Sequence, residues 1–370
     1  MQCGFAAQAP RACGMDSTPV RRTARAVSSG VVDPIPALSG RRVLVTGATG
    51  FIGSHLAERL LRTGSSVRVA ARRPERAAVL SEAGAEVRTV DLTEPKTLAG
   101  CCDDVEVVFH CGAWLGTPYS RDAAYATNVV GTRSLAEEAL RAGVARFVHV
   151  SSIAVYGPVR SGVITEESPL WGGVELYGDS KIGAEDALRE VASRGLPAVI
   201  ARPGMVYGPR SRGWTIRLVQ WINQGRPAMV AGGHGYARPI FIENLLDALI
   251  LCALRPVAGE TFTLIDVNMR WCDYLERYGR MVGKKARSVS NFTSWLIAVT
   301  DETRSAFTRR PPRVRRTALG YAVSHATYST EKAHRLLGWM PRYSMDQAME
   351  ITKAWLIENG YLTPSAASRS

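Results

Sequence analysis

No apolar run in this 370-residue chain approaches the roughly 20 residues that a bilayer-spanning helix needs; the nearest is the short Trp295 to Val299. A membrane span is therefore not expected, and the chain reads as soluble. Cysteine is sparse: positions 3, 13, 101, 102, 111, 252 and 272 contain no Cys-x-x-Cys, and seven is an odd number for a closed disulfide framework. A reducing, cytoplasmic setting is the simpler reading. Acidic residues are short against basic ones, 33 to 46, which leaves a net charge of +13. The excess is local, since Arg304 to Arg316 holds six arginines and no acid, and residues 1 to 40 hold four arginines against two aspartates. Neither stretch carries the interleaved aromatics or folded signature of a nucleic-acid module, so no nucleic-acid partner is expected. The arginine-rich segment reads as a solvated basic loop, with weak attachment to an anionic membrane surface or an acidic partner as the alternative. Residues 1–39 lack periodicity and lack the apolar core of a secretory signal, and read as a disordered extension or a misassigned start.

From Gly40 onward strands and helices alternate in units of about 30 residues, the pattern of a doubly wound α/β fold with a parallel sheet. Strands are expected at Arg42 to Thr46, Ser66 to Ala71, Glu86 to Val90, Val105 to His110, Arg146 to Ser151 and Pro197 to Arg202. The alternation dissolves after Gly208. The expected organisation is a dinucleotide-binding Rossmann domain over 40–208 with parts of 236–265, a smaller C-terminal α/β substrate lobe over 209–362, and a tail over 363–370. The lobe would lie over the carboxyl ends of the strands, where ligands bind in such sheets. No internal repeat is present; the two Val-Tyr-Gly-Pro tetrapeptides, at Val155 and Val206, are turns after strands.

The first strand breaks into Thr46-Gly47-Ala48-Thr49-Gly50-Phe51-Ile52-Gly53 and then into a helical pattern. Gly47 lets the chain leave the strand with unusual backbone angles, Gly50 removes a Cβ that would hold a pyrophosphate off the backbone, and Gly53 permits close helix packing. The helix N-terminus offers free amides and a positive dipole end to an anion. Thr49, Phe51 and Ile52 complete this candidate cradle. At the end of the second strand, an acid would select NAD through the ribose hydroxyl, whereas an arginine would pair with a 2′-phosphate. The chain has Arg72 and Arg73 there and no acid before Glu75, which favours NADP over NAD.

Tyr177 and Lys181 are four apart in a helical pattern, which puts both on one face, one turn apart. An ammonium there is expected to draw the phenol pKa down from its usual value near 10 toward working pH, making a proton donor and acceptor for an alcohol/carbonyl couple. Ser152 ends the fifth strand at the same crevice, where its hydroxyl could polarise a reacting carbonyl. His110 has the residue types of neither a metal site nor a nucleophile pair around it and reads as structural, and no metal is expected.

Taken together, Thr-Gly-x-x-Gly-x-x-Gly at the start, Asn128-Val129-Val130-Gly131-Thr132, Ser151 to Gly157, Tyr177-Gly178-Asp179-Ser180-Lys181, Arg202 to Pro209 and Leu337 to Pro341 resemble the extended short-chain dehydrogenase/reductase superfamily, within its NAD(P)-dependent epimerase/dehydratase group and its 3β-hydroxysteroid dehydrogenase-like branch. The resemblance covers most of Gly40 to Gly360. It implies that Ser152, Tyr177 and Lys181 are the catalytic set, with Lys181 and Tyr177 also against the nicotinamide ribose. It further implies that Asp91 and Leu92 meet the adenine, that Cys111, Gly112 and Ala113 form the turn beneath the adenosine, that Asn128 supports the backbone, and that Pro203 lines the cofactor. A homodimer through the helices led by Asp122 and Glu175 is likewise implied.

The sugar-nucleotide dehydratases of this superfamily carry an Asp-Glu pair after the catalytic hydroxyl, but here those positions are Ile153 and Ala154, so water elimination lacks its acid. Sugar-nucleotide members also carry Arg-Pro-x-Asn, where this chain has Met205, and an arginine matching Ala237, one residue before Arg238. An apolar or aromatic substrate becomes the expectation, lined by Trp114, Ser152, Ile153, Met205 and Trp214. Trp171 and Trp221 are further pocket candidates, and Trp295, Trp339 and Trp355 read as packing. Three function classes stand: an NADP-dependent ketoreductase or alcohol dehydrogenase, a nucleotide-sugar epimerase or reductase that oxidises transiently, and a non-catalytic dinucleotide-sensing protein.

Overall fold

The computed structural model describes residues 38–116, 120–308 and 316–363. The expected extension up to residue 37, most of the arginine-rich segment (309–315) and the tail from 364 lie outside the described residues. Seven strands form one sheet: β1 (Arg42–Thr46), β2 (Ser66–Ala71), β3 (Glu86–Thr89), β4 (Val107–His110), β5 (Arg146–Val150), β6 (Ala198–Pro203) and β7 (Thr261–Leu264). Their order is β7-β6-β5-β4-β1-β2-β3, and every neighbouring pair is parallel. The chain runs outward from β1 to β3, returns to β4 beside β1, and runs outward again. That reversal opens a crevice at the carboxyl ends of β1 and β4, where Thr46 stands level with His110.

The expected doubly wound fold is thus present, with strand ends that shift by one or two residues. Val105 donates its N–H to Cys102 in a turn, so β4 begins only at Val107. The seventh strand was not among those expected from the sequence, although its residues fell within the 236–265 stretch assigned to the sheet domain. Thr-Phe-Thr-Leu is too short to stand out.

Both faces of the sheet are covered, which is why its central strands are nearly continuous apolar runs. Val43 and Val45 point into a core with Leu56 and Leu60 of α1 (Phe51–Arg62), while Leu44 between them points into a second core with Leu135 of α2 (Gly131–Arg141) and Leu188 of α3 (Leu176–Ala192). The first core also takes Leu245 and Leu249 of α4 (Ile242–Leu254).

Beyond β6 the chain forms two-stranded pairs, among them Met205–Tyr207 with Pro239–Phe241, and the helices α5 (Asn291–Thr308), α6 (Arg316–Ala322) and α7 (Met345–Glu358). The expected loop from Arg304 is helical at its start, since α5 runs to Thr308. At α7 the capping box forms in both directions between Ser344 and Gln347. Trp339 is buried as expected and donates its indole N–H to the Asn244 carbonyl at 3.0 Å. Trp295 departs from its expected packing role, for it is 47% exposed.

One buried ionic group ties α3 to the sheet. Glu185 is fully buried and receives two hydrogen bonds from the Arg202 guanidinium of β6, at 2.9 and 2.6 Å. Ser151 donates to the same carboxylate at 2.6 Å and Arg189 at 2.8 Å. Arg202 also donates to the Tyr156 hydroxyl at 2.7 Å, which meets Thr263 of β7 at 3.1 Å. Removing one member of such a group leaves an uncompensated charge inside the protein. Glu185→Ala is expected to cost about 3–5 kcal/mol in denaturant unfolding, whereas Arg189→Ala, at the half-exposed rim, should cost less than about 1 kcal/mol. Equal effects of the two substitutions would contradict this assignment.

Candidate active site

The crevice is floored by the glycine turn between β1 and α1. Gly47 has φ +67°, and a Cβ there would stand 2.6 Å from the Gly112 nitrogen. Only glycine lets the β1 turn pass beneath the β4 turn. A Cβ on Gly53 would run into the Gly47 carbonyl, so the third glycine serves the turn's own backbone as well as the helix packing. Gly50 is different: its Cβ position meets only the Gly47 oxygen, at 3.1 Å, and is otherwise open. No side chain caps α1. The result is an open, uncapped helix N-terminus facing the switch point, which fits a pyrophosphate on the amides that follow Gly50.

The flanking residues fall around this turn. Arg72 and Arg73 are exposed at the carboxyl end of β2, whose Ala70 is level with Thr46. Asp91 accepts from the Thr93 amide at 2.9 Å and hydroxyl at 2.8 Å, and the Leu92 side chain lies against Gly112 and Gly131, where a Cβ would approach it to 2.9 and 2.8 Å. Thr46 accepts from the Gly112 amide, and its hydroxyl is hydrogen-bonded with His110 Nδ1 at 2.7 Å; His110 Nε2 is hydrogen-bonded with the Thr132 hydroxyl at 2.9 Å. Burial, with the charge of Lys181 behind it, lowers the His110 pKa to about 3. His110 is a neutral structural bridge beneath Cys111 and Ala113. Asn128 lies in a π-helical stretch (Tyr125–Val130), a geometry frequent at functional sites. It is buried, accepts from the Trp114 amide at 2.6 Å and donates to Ser180 at 2.8 Å. Asn128 therefore clamps the β4 loop to α3.

Ser152 follows β5 and accepts from the Ala154 amide at 3.1 Å, closing the short turn Ile153–Tyr156. Helix α3 approaches that turn at Gly178, where a Cβ would stand 2.9 Å from the Ala154 carbonyl oxygen. This contact brings Tyr177 to Ser152. Burial pushes the Tyr177 phenol up to about 12; a hydrogen bond with Ser152 pulls the other way and the charge of Glu175 adds to the rise. Lys181 is buried one turn on and donates to the Val150 carbonyl at 2.8 Å. Burial lowers its pKa to about 8. The expected lowering of the Tyr177 pKa by Lys181 is thus not what the protein does. Desolvation dominates both groups, and it favours the neutral form of each. Tyr177 is held as an acid.

Of the residues expected against the substrate, Trp114 is buried, and Ile153 and Met205 are half-buried beside the catalytic turn and at the end of β6 after Pro203. Trp214, 39% exposed, stands instead against Trp271, with ring centroids 6.0 Å apart, and its carbonyl accepts from Tyr278 at 2.8 Å. Trp171 is exposed and lies against Gly157. Arg238, next to the position matching the sugar-nucleotide arginine, is turned inward: it donates to the Ser324 hydroxyl at 2.7 Å and the Ala326 carbonyl at 2.6 Å, with its guanidinium over Tyr328. Two contributors were missed from sequence. Glu185 was legible in principle, because 177, 181, 185 and 188 share one helical face and an acid within that buried stripe needs a partner. Tyr321 of α6 was not, for it arrives from far along the chain to donate to the Ala154 carbonyl at 3.4 Å.

Residues 43–267 match the family model described as the NAD dependent epimerase/dehydratase family. The 4-hydroxy-2-methyl-3-oxo-4-farnesyl-3,4-dihydroquinoline-1-oxide ketoreductase of Stigmatella aurantiaca is 28% identical over 326 residues, covering 84% of this chain and 95% of that protein. The 2-alkyl-3-oxoalkanoate reductase of Stenotrophomonas maltophilia is 28% identical over 333 residues, covering 85% and 98%. The solved structure of MoeE5 in complex with UDP-glucose and NAD is 25% identical with a TM-score of 0.67, covering 86% of this chain and 99% of that one.

The pKa of Lys181 is open to direct measurement. Carbon-13 labelling of the lysine ε-carbons should reveal one ammonium that loses its proton near pH 8, and that signal should vanish in Lys181→Met. A lysine spectrum with every resonance titrating above pH 10 would contradict the desolvated position.

Proposed function

Since the chain belongs to the NAD dependent epimerase/dehydratase family, we propose that this nicotinamide-dinucleotide enzyme is an NADP-dependent ketoreductase of apolar or aromatic small molecules. The observation that carries the reading is a tyrosine held protonated beside a serine, with Ile153 and Ala154 in place of the acid pair that dehydration requires. A phenol with its pKa near 12 is poised to give a proton, which is what reduction of a carbonyl consumes. The reduced nicotinamide supplies the hydride when bound. Ser152 donates a hydrogen bond to the carbonyl oxygen, Tyr177 transfers its proton to that oxygen as the carbon gains hydride, and the Lys181 ammonium, with two of its three protons not used by Val150, stabilises the phenolate left behind. Residues 40–208 with parts of 236–265 would hold the cofactor, and 209–362 the substrate.

The inward turn of Arg238, which is buried against Ser324, Ala326 and Tyr328, and the thioether of Met205, which has no donor, support an apolar substrate. The two reductases reported above, named for a farnesyl-bearing 3-oxo-dihydroquinoline and a 2-alkyl-3-oxoalkanoate, point the same way. The likeness to MoeE5, which binds UDP-glucose and NAD, supports a second reading as a nucleotide-sugar epimerase or reductase. The exposed arginines after β2 support NADP.

Tyr177→Phe should retain NADP binding, because ring and helix remain, and lose turnover by about 10²-fold or more; turnover near wild type would sink the mechanism. Arg72→Asp should weaken NADP more than NAD, and tighter binding of NAD than NADP by the wild type would overturn the cofactor assignment. Calorimetric titration of the NADP complex with UDP-, GDP- and dTDP-sugars should give no affinity tighter than about millimolar, and a micromolar value would transfer the case to the second reading.

A further inference from the structure

Helix α5 wears its amphipathic pattern inside out. The residues it turns toward the protein are small or polar: Ser294 is 3% exposed and Ala298 is fully buried. Among those it turns to solvent are four large apolar side chains, with Phe292 at 71%, Trp295 at 47%, Leu296 at 46% and Ile297 at 42% exposed. Phe292, Trp295 and Leu296 follow the i, i+3, i+4 spacing of one helical stripe, and the Phe292 and Trp295 rings are stacked, 6.4 Å apart and 25° from parallel. Contiguous apolar surface of this kind on a folded protein marks an interaction face.

The surrounding charge selects the occupant. Lys284, Lys285 and Arg287 are exposed just before the helix. Near its other end Arg304 and Arg316 are exposed, their charge offset by Asp301 and Glu302, which lie on the protein side at 2.7 Å from each. In sequence Arg309, Arg310, Arg313 and Arg315 stand between α5 and α6 and add positive charge with no acid. An aromatic and aliphatic stripe led by the exposed Lys284, Lys285 and Arg287, on a helix that does not qualify as a membrane crossing, is the arrangement of a helix lying in the headgroup region of an anionic bilayer. A second copy of this chain would bring the same positive charge to the contact and be repelled by it.

We infer that α5 docks the enzyme on an anionic phospholipid surface through Phe292, Trp295, Leu296 and Ile297. The docking helix is joined to the crevice, since Glu302 of α5 binds Arg316 of α6 through its backbone amide at 2.9 Å and its side chain, and Tyr321 of α6 reaches the carbonyl of Ala154 beside Ser152. The surface and the Ser152 turn thus share one short connection through α6. The inference stands apart from the identity of the substrate.

Full-length protein should sediment with vesicles of phosphatidylcholine mixed with phosphatidylglycerol at least about tenfold more strongly than with phosphatidylcholine alone, and less so as salt is raised. The triple variant Phe292→Ser, Trp295→Ser, Leu296→Ser should lose that binding by about tenfold or more with no fall in melting temperature. Hydrogen exchange of wild-type α5, slowed by mixed vesicles and not by neutral ones, reads the same contact should the variant melt early. Absence of vesicle binding, or a concentration-dependent dimer that the triple substitution dissolves, would overturn the inference.

Discussion

The geometry of the candidate site depends on a carboxylate with no access to water. Glu185 lies in α3 one turn after Lys181, and burial alone would push its pKa up and leave it neutral; the hydrogen bonds and charge of Arg202, with Ser151 and Arg189 behind them, outweigh that and keep it ionised. Its partners come from β6 and from the residue after β5. The pair therefore fixes the rotation of α3 about its axis against the sheet. Tyr177 and Lys181 occupy the same face two turns and one turn earlier, so their positions beside Ser152 and Val150 are set by this buried charge pair. Such a pair yields little net stability over an apolar replacement, but it tolerates only one register.

The same desolvation that makes this pair costly tunes the site. Tyr177 is raised, and Lys181, His110 and His149 are lowered, each with burial as its largest cause. Every one of these groups is thereby biased toward its neutral form. The crevice is a place where charge is expensive unless met by a designed partner, which is the condition under which a hydroxyl, a phenol and one ammonium act strongly on a developing oxyanion.

On helix α5 the balance is reversed. Helix α5 leaves Phe292, Trp295, Leu296 and Ile297 in water and buries Ser294 and Ala298, an arrangement suited to the lipid headgroup layer inferred above. Between the two lies α6, whose Tyr321 touches the catalytic turn and whose Gly320 packs on Pro158, where a Cβ would stand 2.8 Å away.

The sequence by itself determined the sheet, the glycine turn after β1 and the shared helical face of Tyr177 and Lys181, because all three are written in local chemistry. Valine-rich runs of strand length, three glycines at fixed spacing and a Tyr-x-x-x-Lys pair each carry their meaning within one turn or one strand. The strand ends slid by a residue or two where turns such as Cys102 to Val105 competed for the same amides, and Thr261–Leu264 was too short to be recognised as a strand of the main sheet. Only the tertiary structure decided the ionisation of Tyr177, the partner of Glu185, the inward turn of Arg238, the arrival of Tyr321 and the outward face of α5. Each of these is a question of what lies across space from a side chain and how much water remains between them. Burial and long-range pairing arise from the whole packed chain, and no window of sequence contains them.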